Sequence, residues 1–130
     1  MVKIMVSPIV TKDAPAAIGP YSQGIVFGNM VYTSGQIPVN PADGTVPATI
    51  EEQTAQSLNN VKAVLEAAGA TMDDVIKTTV FIQNMDDFAK INGVYTTYFT
   101  GPILPARSCV EVAKLPKGVM IEIEAIAVKR

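Results

Sequence analysis

Apolar and polar residues alternate in a way that predicts β-strands in three parts of the chain. Residues 24–39, GIVFGNMVYTSGQIPV, contain two β-prone runs on either side of Gly28-Asn29, a dipeptide suited to the positive φ values of a hairpin turn. Residues 75–83, VIKTTVFIQ, are rich in β-branched side chains. The C-terminal segment, residues 104–130, contains two more β-prone runs joined around the turn sequence PKG.

The part of the chain before these strands has a different pattern. We expect residues 1–6 to form a short extended segment. Residues 7–20 are expected to form a loop, because prolines and a glycine interrupt them at positions 8, 15, 19 and 20. A loop of this length is uncommon in a compact domain and suggests a functional role.

Two segments repeat apolar residues at the spacing of amphipathic helices. The first begins at Thr49, which together with Glu52 matches the T-x-x-E capping box, and it ends near Gly69. The second covers residues 84–99, NMDDFAKINGVYTTYF, and ends before Gly101. The residues of the two apolar stripes are Ala55, Leu58, Val61, Val64, Leu65 and Ala68 in the first helix and Phe88, Ile91, Tyr95 and Tyr98 in the second.

The order of these elements predicts a two-layer α+β fold in which two helices pack on one face of a mixed sheet. The whole chain, residues 1–130, is expected to form a single domain, since its length suffices for one core and no linker or repeat interrupts it. The last run, VMIEIEAIAV, is apolar at nearly every position, so neither of its faces suits open solvent. We therefore expect other copies of the chain to cover the helix-free face.

Composition narrows the kinds of function. The chain has 48% hydrophobic and 17% charged residues and a formal net charge of −2, which is typical of a globular domain and not of a polycation that coats nucleic acid. No window approaches the roughly 20 apolar residues of a membrane helix, and the N-terminus lacks the pattern of a signal peptide. We expect a cytoplasmic protein with neither a nucleic acid nor a membrane as partner.

The sequence contains no histidine and a single cysteine, Cys109. An internal disulfide is therefore excluded, the usual zinc ligand sets are missing, and we predict no metal site. Catalytic triads that depend on histidine are excluded as well. Proton transfer near neutral pH then falls to a perturbed carboxylate, tyrosine, lysine, cysteine or water.

The two C-terminal strands carry charges at positions where a sheet normally buries apolar side chains. By period two, Arg107, Cys109 and Glu111 share one face of their strand, and Glu122 and Glu124 share one face of the other. If the purely apolar faces of both strands meet the helices, the charged residues converge on the helix-free side of the sheet. Subunits of an assembly would touch there.

Arg107 is the only arginine before the C-terminal residue, while eight of the ten basic residues are lysines. A guanidinium binds a carboxylate or phosphate through two parallel hydrogen bonds, which lysine cannot do. Arg107 is therefore a candidate for binding an anionic substrate. The alternative is a salt bridge with Glu111, Glu122 or Glu124, and spacing alone does not decide between the two.

Other polar residues are candidates with equally ordinary alternatives. Glu122 serves as a base or orients water if partial burial raises its pKa, or it forms a salt bridge with a lysine at the rim. Cys109, without a histidine partner, is expected to be a small buried side chain and not a nucleophile. Tyr21 and Ser34 offer hydroxyl donors or are ordinary loop and strand residues. Asn92 lies mid-helix beside the apolar stripe.

Several segments, from about Ala14 to the C-terminus, together resemble the RidA (YjgF) family of reactive intermediate deaminases. They are AAIGPYSQG, TSGQIPVNP, QSLNNVKAVLEAAG, KTTVFI and PARSCVEVAKLPKGVMIEIEAIAV, of which PARSCVEV is highly specific. The resemblance implies a chorismate-mutase-like α+β fold. It also implies a homotrimer whose sites lie in the clefts between subunits.

The resemblance also implies an activity, the hydrolysis of 2-imino and 2-enamino acids such as 2-iminobutanoate and 2-iminopropanoate to 2-oxo acids and ammonia, without a cofactor. Arg107 matches the family arginine that binds the substrate carboxylate, and Glu122 matches the acid that positions the attacking water. The other positions that match the family's pocket are Tyr21, Ser34, Gly35, Asn92 and the main chain of Cys109. The loop GPILP is shorter and less polar than in many members, so no substrate contact is carried over to it.

Two other functions compete with imine hydrolysis. Some members of the family are described as ribonucleases or translation inhibitors, but a net acidic chain without histidine has little with which to bind and cleave RNA. A regulatory module would instead bind 2-oxo acids through Arg107 without turnover. Such a module has no need of a water-positioning acid at Glu122.

Overall fold

The computed structural model describes residues 5–130, which contain six strands and two α-helices joined by loops and short 3-10 turns. The strands are β1 (Val6–Ile9), β2 (Gly24–Phe27), β3 (Met30–Thr33), β4 (Val75–Ile82), β5 (Ala106–Glu111) and β6 (Ile121–Val128), and the helices are α1 (Ile50–Ala67) and α2 (Phe88–Tyr95). The strands form one sheet in the order β1-β2-β3-β6-β4-β5, antiparallel except for the parallel pair β4 and β5. α1 packs on β3 and β6 and against α2, which confirms the predicted two-layer α+β arrangement.

β1 lies where the sequence predicts a loop. The predicted extended segment, residues 1–6, falls mostly on residues 1–4, which lie outside the described part of the chain. β1 contains Pro8, which pairs with Ile25 of β2. Proline has no N–H for the ladder and is excluded from central strands, but edge strands tolerate it. Because β1 is an edge strand, the proline marks the edge of the sheet and not a loop.

The predicted hairpin at Gly28-Asn29 is present, but only one of its two turn residues has a positive φ. Phe27 pairs with Met30 across the turn. Gly28 has a φ of 60°, whereas Asn29 is outside the left-handed region. A positive φ at the first turn position alone is typical of a type II′ turn, which favours glycine there.

α1 begins and ends close to the predicted residues. The Thr49 hydroxyl accepts the Glu52 N–H at 3.1 Å and donates to the Glu52 carboxylate at 3.0 Å. The carboxylate thus acts through the threonine side chain and not through the Thr49 N–H of the predicted capping box. At the other end Gly69 has a φ of 84°. The Ala70 N–H donates to the Leu65 carbonyl at 2.9 Å, so this carbonyl of the last turn has a hydrogen-bond partner.

α2 is shorter than predicted. It ends at Tyr95, and just beyond its end the Thr97 hydroxyl donates to the Val94 carbonyl at 2.6 Å. Threonine side chains that bond the local backbone compete with helix formation. Ile91 of the predicted stripe is buried, whereas Tyr98 lies beyond the helix and bonds to α1 through its hydroxyl.

The core lies between the sheet and the helices. α1 buries four residues of its stripe completely, and alternate residues of β4 and β6 face them. They are Leu58, Val61, Val64 and Leu65 from α1 and Val80, Ile82, Ile121 and Ile123 from the strands. Each such side chain stabilises the fold by about 1.5–3 kcal/mol relative to an exposed one. No helix within residues 5–130 is long and apolar enough to cross a membrane.

The helix-free face of the sheet carries large apolar side chains that remain partly exposed in the single chain. Phe27 is 41% exposed, Tyr32 43% and Val110 42%. The strand register puts all three on this face. Exposed apolar side chains concentrated on one face are typical of association surfaces. This is the face that the sequence predicts to be covered by other copies of the chain.

Candidate active site

Arg107 and Glu122 lie on opposite faces of the sheet. β4 lies between β5 and β6, and Thr78 on β4 is in register with Arg107 on β5. Side chains in register on neighbouring strands share a face, so Arg107 is on the helix-covered face with the buried Thr78. Glu122 is in register with Phe81, on the helix-free face. The predicted convergence of Arg107, Glu122 and Glu124 on one side of the sheet is therefore wrong within a single chain.

The error concerns which side of β5 meets the helices. Period-two alternation sorts the residues into two sets but does not say which set is covered. The more apolar set, which includes Val110, is the one that the sequence assigns to the helices. Instead α2 covers the set that contains Arg107, and its side chains contact the guanidinium.

Three residues on one face of α2 hold the guanidinium of Arg107. Asn92 Oδ1 accepts a hydrogen bond from Arg107 Nη1 at 2.7 Å. The guanidinium carbon lies 4.8 Å from the ring centroid of Tyr95 and 5.4 Å from that of Phe88. Residues spaced by three and four lie on the same side of a helix. Each ring contact contributes on the order of 1 kcal/mol to holding the cation.

No carboxylate neutralises Arg107 within residues 5–130. The one salt bridge in that part of the chain joins Arg130 Nε to Asp74 Oδ1 at 2.9 Å. Glu111 shares the face of Arg107, but its Oε1 accepts the Met85 N–H at 2.8 Å. The salt bridge that the sequence leaves open for Arg107 is thus absent from the described residues. Its charge is available to an external anion.

The guanidinium opens into a cleft of about 470 Å³ between α2 and the segment before β5. The lining residues are Asn92, Tyr95, Thr96, Phe99, Leu104, Pro105 and Arg107. A largely apolar wall with a few converging polar groups is typical of a site for a small ligand. We refer to Asn92, Arg107 and Cys109 as the arginine half of the candidate site.

Cys109 lies on the same face of β5 as Arg107, in register with Val80. Burial raises the pKa of its thiol, and the nearby charge of Arg107 lowers it by a smaller amount. The thiolate is the reactive form of cysteine, so a thiol with a raised pKa is a poor nucleophile at neutral pH. The structure therefore favours a small, unreactive side chain at this position.

A short pairing between two segments brings Gly35 against Glu122. The Gln36 N–H donates to the Ile123 carbonyl at 2.8 Å, and the Ile123 N–H donates to the Gln36 carbonyl at 3.1 Å. This antiparallel bridge holds the segment of Gly35 alongside the part of β6 that carries Glu122. A Cβ atom at Gly35 would overlap the Glu122 carboxylate. The absence of a side chain at position 35 is what permits this close approach.

The Glu122 carboxylate is half-buried. Burial raises its pKa above the ordinary glutamate value of 4.5, and the negative charge of Glu124 raises it further. A carboxylate of this kind is suited to accept a proton from water. The alternative salt bridge with a lysine is not formed within residues 5–130. The same residues contain no group of three or more His, Cys, Asp or Glu side chains placed to hold a metal ion.

Tyr21 and Ser34 complete this second group. Tyr21 is half-exposed and lines a pocket of about 200 Å³ together with Gly35. The Ser34 hydroxyl donates to the Ser22 carbonyl. Because this hydrogen bond uses the hydroxyl proton, the Ser34 oxygen can only accept a further hydrogen bond in this arrangement, whereas the sequence predicts a donor. We refer to Tyr21, Ser34, Gly35 and Glu122 as the glutamate half.

The two halves cannot act on one small molecule within a single chain. The strands that carry Arg107 and Glu122 are separated by β4, which puts their backbones about 10 Å apart across the sheet. The two side chains also point in opposite directions. A molecule that touched both would have to lie between two chains.

Comparison with known proteins identifies the family. A sequence profile described as Endoribonuclease L-PSP matches residues 11–129. The chain belongs to this family. The 2-iminobutanoate/2-iminopropanoate deaminase of Escherichia coli strain K12 is 59% identical over 128 residues, which cover 97% of this chain and 100% of that protein. A RutC family protein of Haemophilus influenzae is 58% identical over 130 residues, 98% of this chain and 100% of that protein.

Solved structures similar to this L-PSP protein have the same fold. The 1.2 Å crystal structure of the YjgF gene product from E. coli matches with a TM-score of 0.93 and 59% identity. The aligned region covers 95% of this chain and 99% of the E. coli chain. The crystal structure of E. coli TdcF with bound serine has a TM-score of 0.92 at 54% identity, again covering 95% and 99%. The resemblance to the RidA (YjgF) family and the predicted α+β fold are thus confirmed.

Sequence reasoning missed three features of this L-PSP protein's candidate site. Phe88 and Tyr95 belong to the predicted apolar stripe of α2, but their rings also hold Arg107. One feature of the sequence could have indicated these contacts: Asn92 is a polar residue with an aromatic residue on each side of it at helical spacing. Lys117 lines the pocket of Gly35 with a φ of 58°, a strained backbone that no apolar pattern predicts.

Proposed function

We propose that this protein hydrolyses 2-imino acids and their 2-enamino tautomers to 2-oxo acids and ammonia, as a 2-iminobutanoate/2-iminopropanoate deaminase. The observation that carries the proposal is the guanidinium of Arg107, which opens into a cleft without a carboxylate partner in the described part of the chain. The name of the E. coli relative and its 59% identity to this chain support it. A 2-imino acid has a carboxylate next to its reacting carbon, and a guanidinium binds carboxylates in a fixed geometry.

The substrate carboxylate binds on the edge of Arg107 that Asn92 leaves free. Asn92 accepts a hydrogen bond from Nη1, so the Nε and Nη2 edge remains for two parallel hydrogen bonds. The rings of Phe88 and Tyr95 support the plane of the guanidinium. A carboxylate bound in this way fixes the adjacent imine carbon relative to the group that delivers water.

Glu122 transfers protons while water adds to the imine. The water oxygen bonds to the imine carbon, its proton passes through Glu122 to nitrogen, and the product is a carbinolamine. In the second step the hydroxyl proton passes to nitrogen by the same route, the C–N bond breaks, and ammonia and the 2-oxo acid leave. The raised pKa of Glu122 suits both transfers, because a group that titrates closer to neutral pH accepts and returns a proton readily.

We further propose that the active site forms between subunits of a homotrimer. The arginine half and the glutamate half lie on opposite faces of one sheet, so a substrate contacts both only if they come from different chains. The partly exposed Phe27, Tyr32 and Val110 supply an apolar surface for this contact. In a closed ring of three chains, which the family resemblance implies, each arginine half meets a neighbour's glutamate half.

RNA cleavage is not part of this proposal, although the family description names an endoribonuclease. The net charge of −2 and the lack of histidine leave no feature that favours it. A binding module without turnover is also not favoured, because it has no use for a carboxylate of raised pKa packed against Gly35. The proposed location is the cytoplasm, in agreement with the composition.

Ammonia release from freshly generated 2-iminobutanoate tests the proposal. We expect the wild-type protein to form ammonia and 2-oxobutanoate far faster than the spontaneous reaction does, and Arg107→Ala to abolish the difference. Glu122→Gln separates catalysis from binding, because we expect it to bind 2-oxobutanoate normally and to hydrolyse the imine only at a small residual rate. Ammonia release at the spontaneous rate in the presence of folded wild-type protein would contradict the proposal.

A further inference from the structure

The side chain of Tyr95 connects α2 to the sheet at the level of Arg107. Its ring centroid is 4.8 Å from the guanidinium carbon of Arg107. Its hydroxyl forms a hydrogen bond of 2.8 Å with the hydroxyl of Thr78. Thr78 is fully buried, and it is the residue of β4 in register with Arg107 on β5. The ring is therefore fixed to the strand beside the one that carries the arginine.

We propose that Tyr95 is a positioning residue that orients the guanidinium of Arg107 for binding the substrate carboxylate. The inference rests on the proposed function for the identity of that anion, a 2-imino or 2-oxo acid. Arginine has a long side chain that loses much rotamer freedom when it binds a ligand. Asn92 on one edge and Tyr95 on the face hold the guanidinium before the ligand arrives, so less entropy is lost on binding.

The hydroxyl of Tyr95 indicates a role beyond packing. Phe99 packs against Tyr95 with a centroid distance of 4.6 Å and is buried without any hydroxyl, so the core here accepts a plain ring. Burial raises the pKa of Tyr95, which keeps the hydroxyl protonated for its bond with Thr78. Phe88 is more exposed than Tyr95 and lies farther from Arg107, at 5.4 Å, so Tyr95 is the firmer support.

Binding of 2-oxobutanoate, measured by calorimetry, tests the proposal without turnover. We expect Tyr95→Leu to raise Kd about tenfold, because the contact of the ring with the cation is lost. Tyr95→Phe keeps the ring and loses only the bond to Thr78, so we expect an increase of about threefold. Thr78→Val removes the same bond, and the double variant should bind no more weakly than either single one.

Tyr98 provides the matched control. It lies next to α2, and its hydroxyl donates to Asn59 at 3.0 Å on α1, without contact to Arg107. We expect Tyr98→Leu to lower the melting temperature and leave Kd unchanged, since it loosens packing away from the guanidinium. A Kd in folded Tyr95→Leu within about twofold of the wild-type value would overturn the proposal. If Tyr95→Leu does not fold, wild-type Kd values in both Tyr95→Phe and Thr78→Val would overturn it.

Arginine side-chain NMR gives a readout that does not depend on ligand or activity. The chain has two arginines, Arg107 and Arg130, so Arg130→Lys assigns the Nε–H signals. We expect the Arg107 signal to report an ordered side chain in wild type and in Tyr98→Leu, and a mobile one in Tyr95→Leu. An equally ordered Arg107 in Tyr95→Leu would overturn the proposal. Loss of order in that variant, in a protein that hydrolyses no imine, would support the positioning role and refute the proposed function.

Discussion

The carboxylate of Glu122 occupies the space that a side chain at Gly35 would need. The pairing of Gln36 with Ile123 fixes this contact between residues that are far apart in the sequence. The group in the way is the free end of a flexible side chain. A larger residue at position 35 therefore displaces Glu122 without forcing the backbone apart.

Gly35→Ala is expected to lower kcat roughly ten- to hundredfold, because a shift of the Glu122 carboxylate misaligns the attacking water. The free energy of unfolding should change by no more than about 1 kcal/mol. Steady-state hydrolysis of 2-iminobutanoate and thermal melting measure the two effects. Gly93→Ala is the matched control, since a Cβ there meets nothing within 4 Å, and it should keep wild-type activity. Full activity in Gly35→Ala would show that the contact does not position Glu122.

Arg107→Lys is expected to lower kcat/KM about a hundredfold, or ~3 kcal/mol in transition-state stabilisation, while the protein stays folded. Lysine keeps the charge but cannot bind a carboxylate through two parallel hydrogen bonds. It also lacks the planar group that lies over Tyr95. Arg130→Lys, at the salt bridge with Asp74, is the control and should retain activity. Near-normal hydrolysis by Arg107→Lys would make the arginine a structural residue.

The pH profile of kcat/KM should have its acid limb above 4.5, the ordinary glutamate pKa, because Glu122 works as a carboxylate and burial raises its pKa. Activity then falls as the pH drops through this raised pKa. The residual activity of Glu122→Gln should lack the limb. An identical limb in Glu122→Gln would assign the titration to another group.

The raised pKa of Glu122 affects stability and activity in opposite directions: ionisation of the carboxyl group is needed for activity but destabilises the fold. A carboxyl group whose pKa is higher in the folded state binds its proton more tightly there, so its stabilising effect is present below the unfolded pKa and is lost as the pH rises through the folded pKa. Ionised Glu122 therefore destabilises the fold at neutral pH. Glu122→Gln should melt at a higher temperature than wild type at neutral pH, with no such gain below pH 4.5. A lower melting temperature at neutral pH would mean that a partner stabilises the carboxylate.

Local sequence signals were sufficient for most of the fold. The hairpin at Gly28, the start of α1 at Thr49 and its end at Gly69 follow from turn and capping chemistry, which acts between neighbours in the chain. β1 was not predicted, because Pro8 indicates a loop unless the strand is known to lie at the edge of a sheet. Edge position is a property of the whole sheet and is not encoded locally.

The candidate site was predictable as a set of residues and not as an arrangement. Alternation puts Arg107 and Cys109 on one side of their strand, but the side that α2 covers depends on the insertion of β4 between β5 and β6. The contact of Gly35 with Glu122 likewise depends on a long-range pairing. The prediction that Arg107 and Glu122 act together therefore needs a second chain.

Val110→Asp should separate the subunits. Val110 is 42% exposed on the helix-free face, in register with Phe81, so a charge there disfavours burial against another copy and costs the single chain little. Sedimentation should show 13.8 kDa for this variant and about three times that mass for wild type. Val46→Asp, at a residue 39% exposed outside the strands, should keep the wild-type mass. A wild-type mass of 13.8 kDa would contradict the trimer.

Mixed trimers of Arg107→Lys and Glu122→Gln chains test the shared site most directly, because each variant alone is expected to retain little activity. In any trimer that contains both, one interface joins the intact arginine half of a Glu122→Gln chain to the intact glutamate half of an Arg107→Lys chain. Random assembly of equal amounts should therefore restore about a quarter of wild-type hydrolysis of 2-iminobutanoate. Activity in the mixture no greater than the sum of the two separate variants, with hybrid trimers shown to have formed, would contradict a site built from two chains.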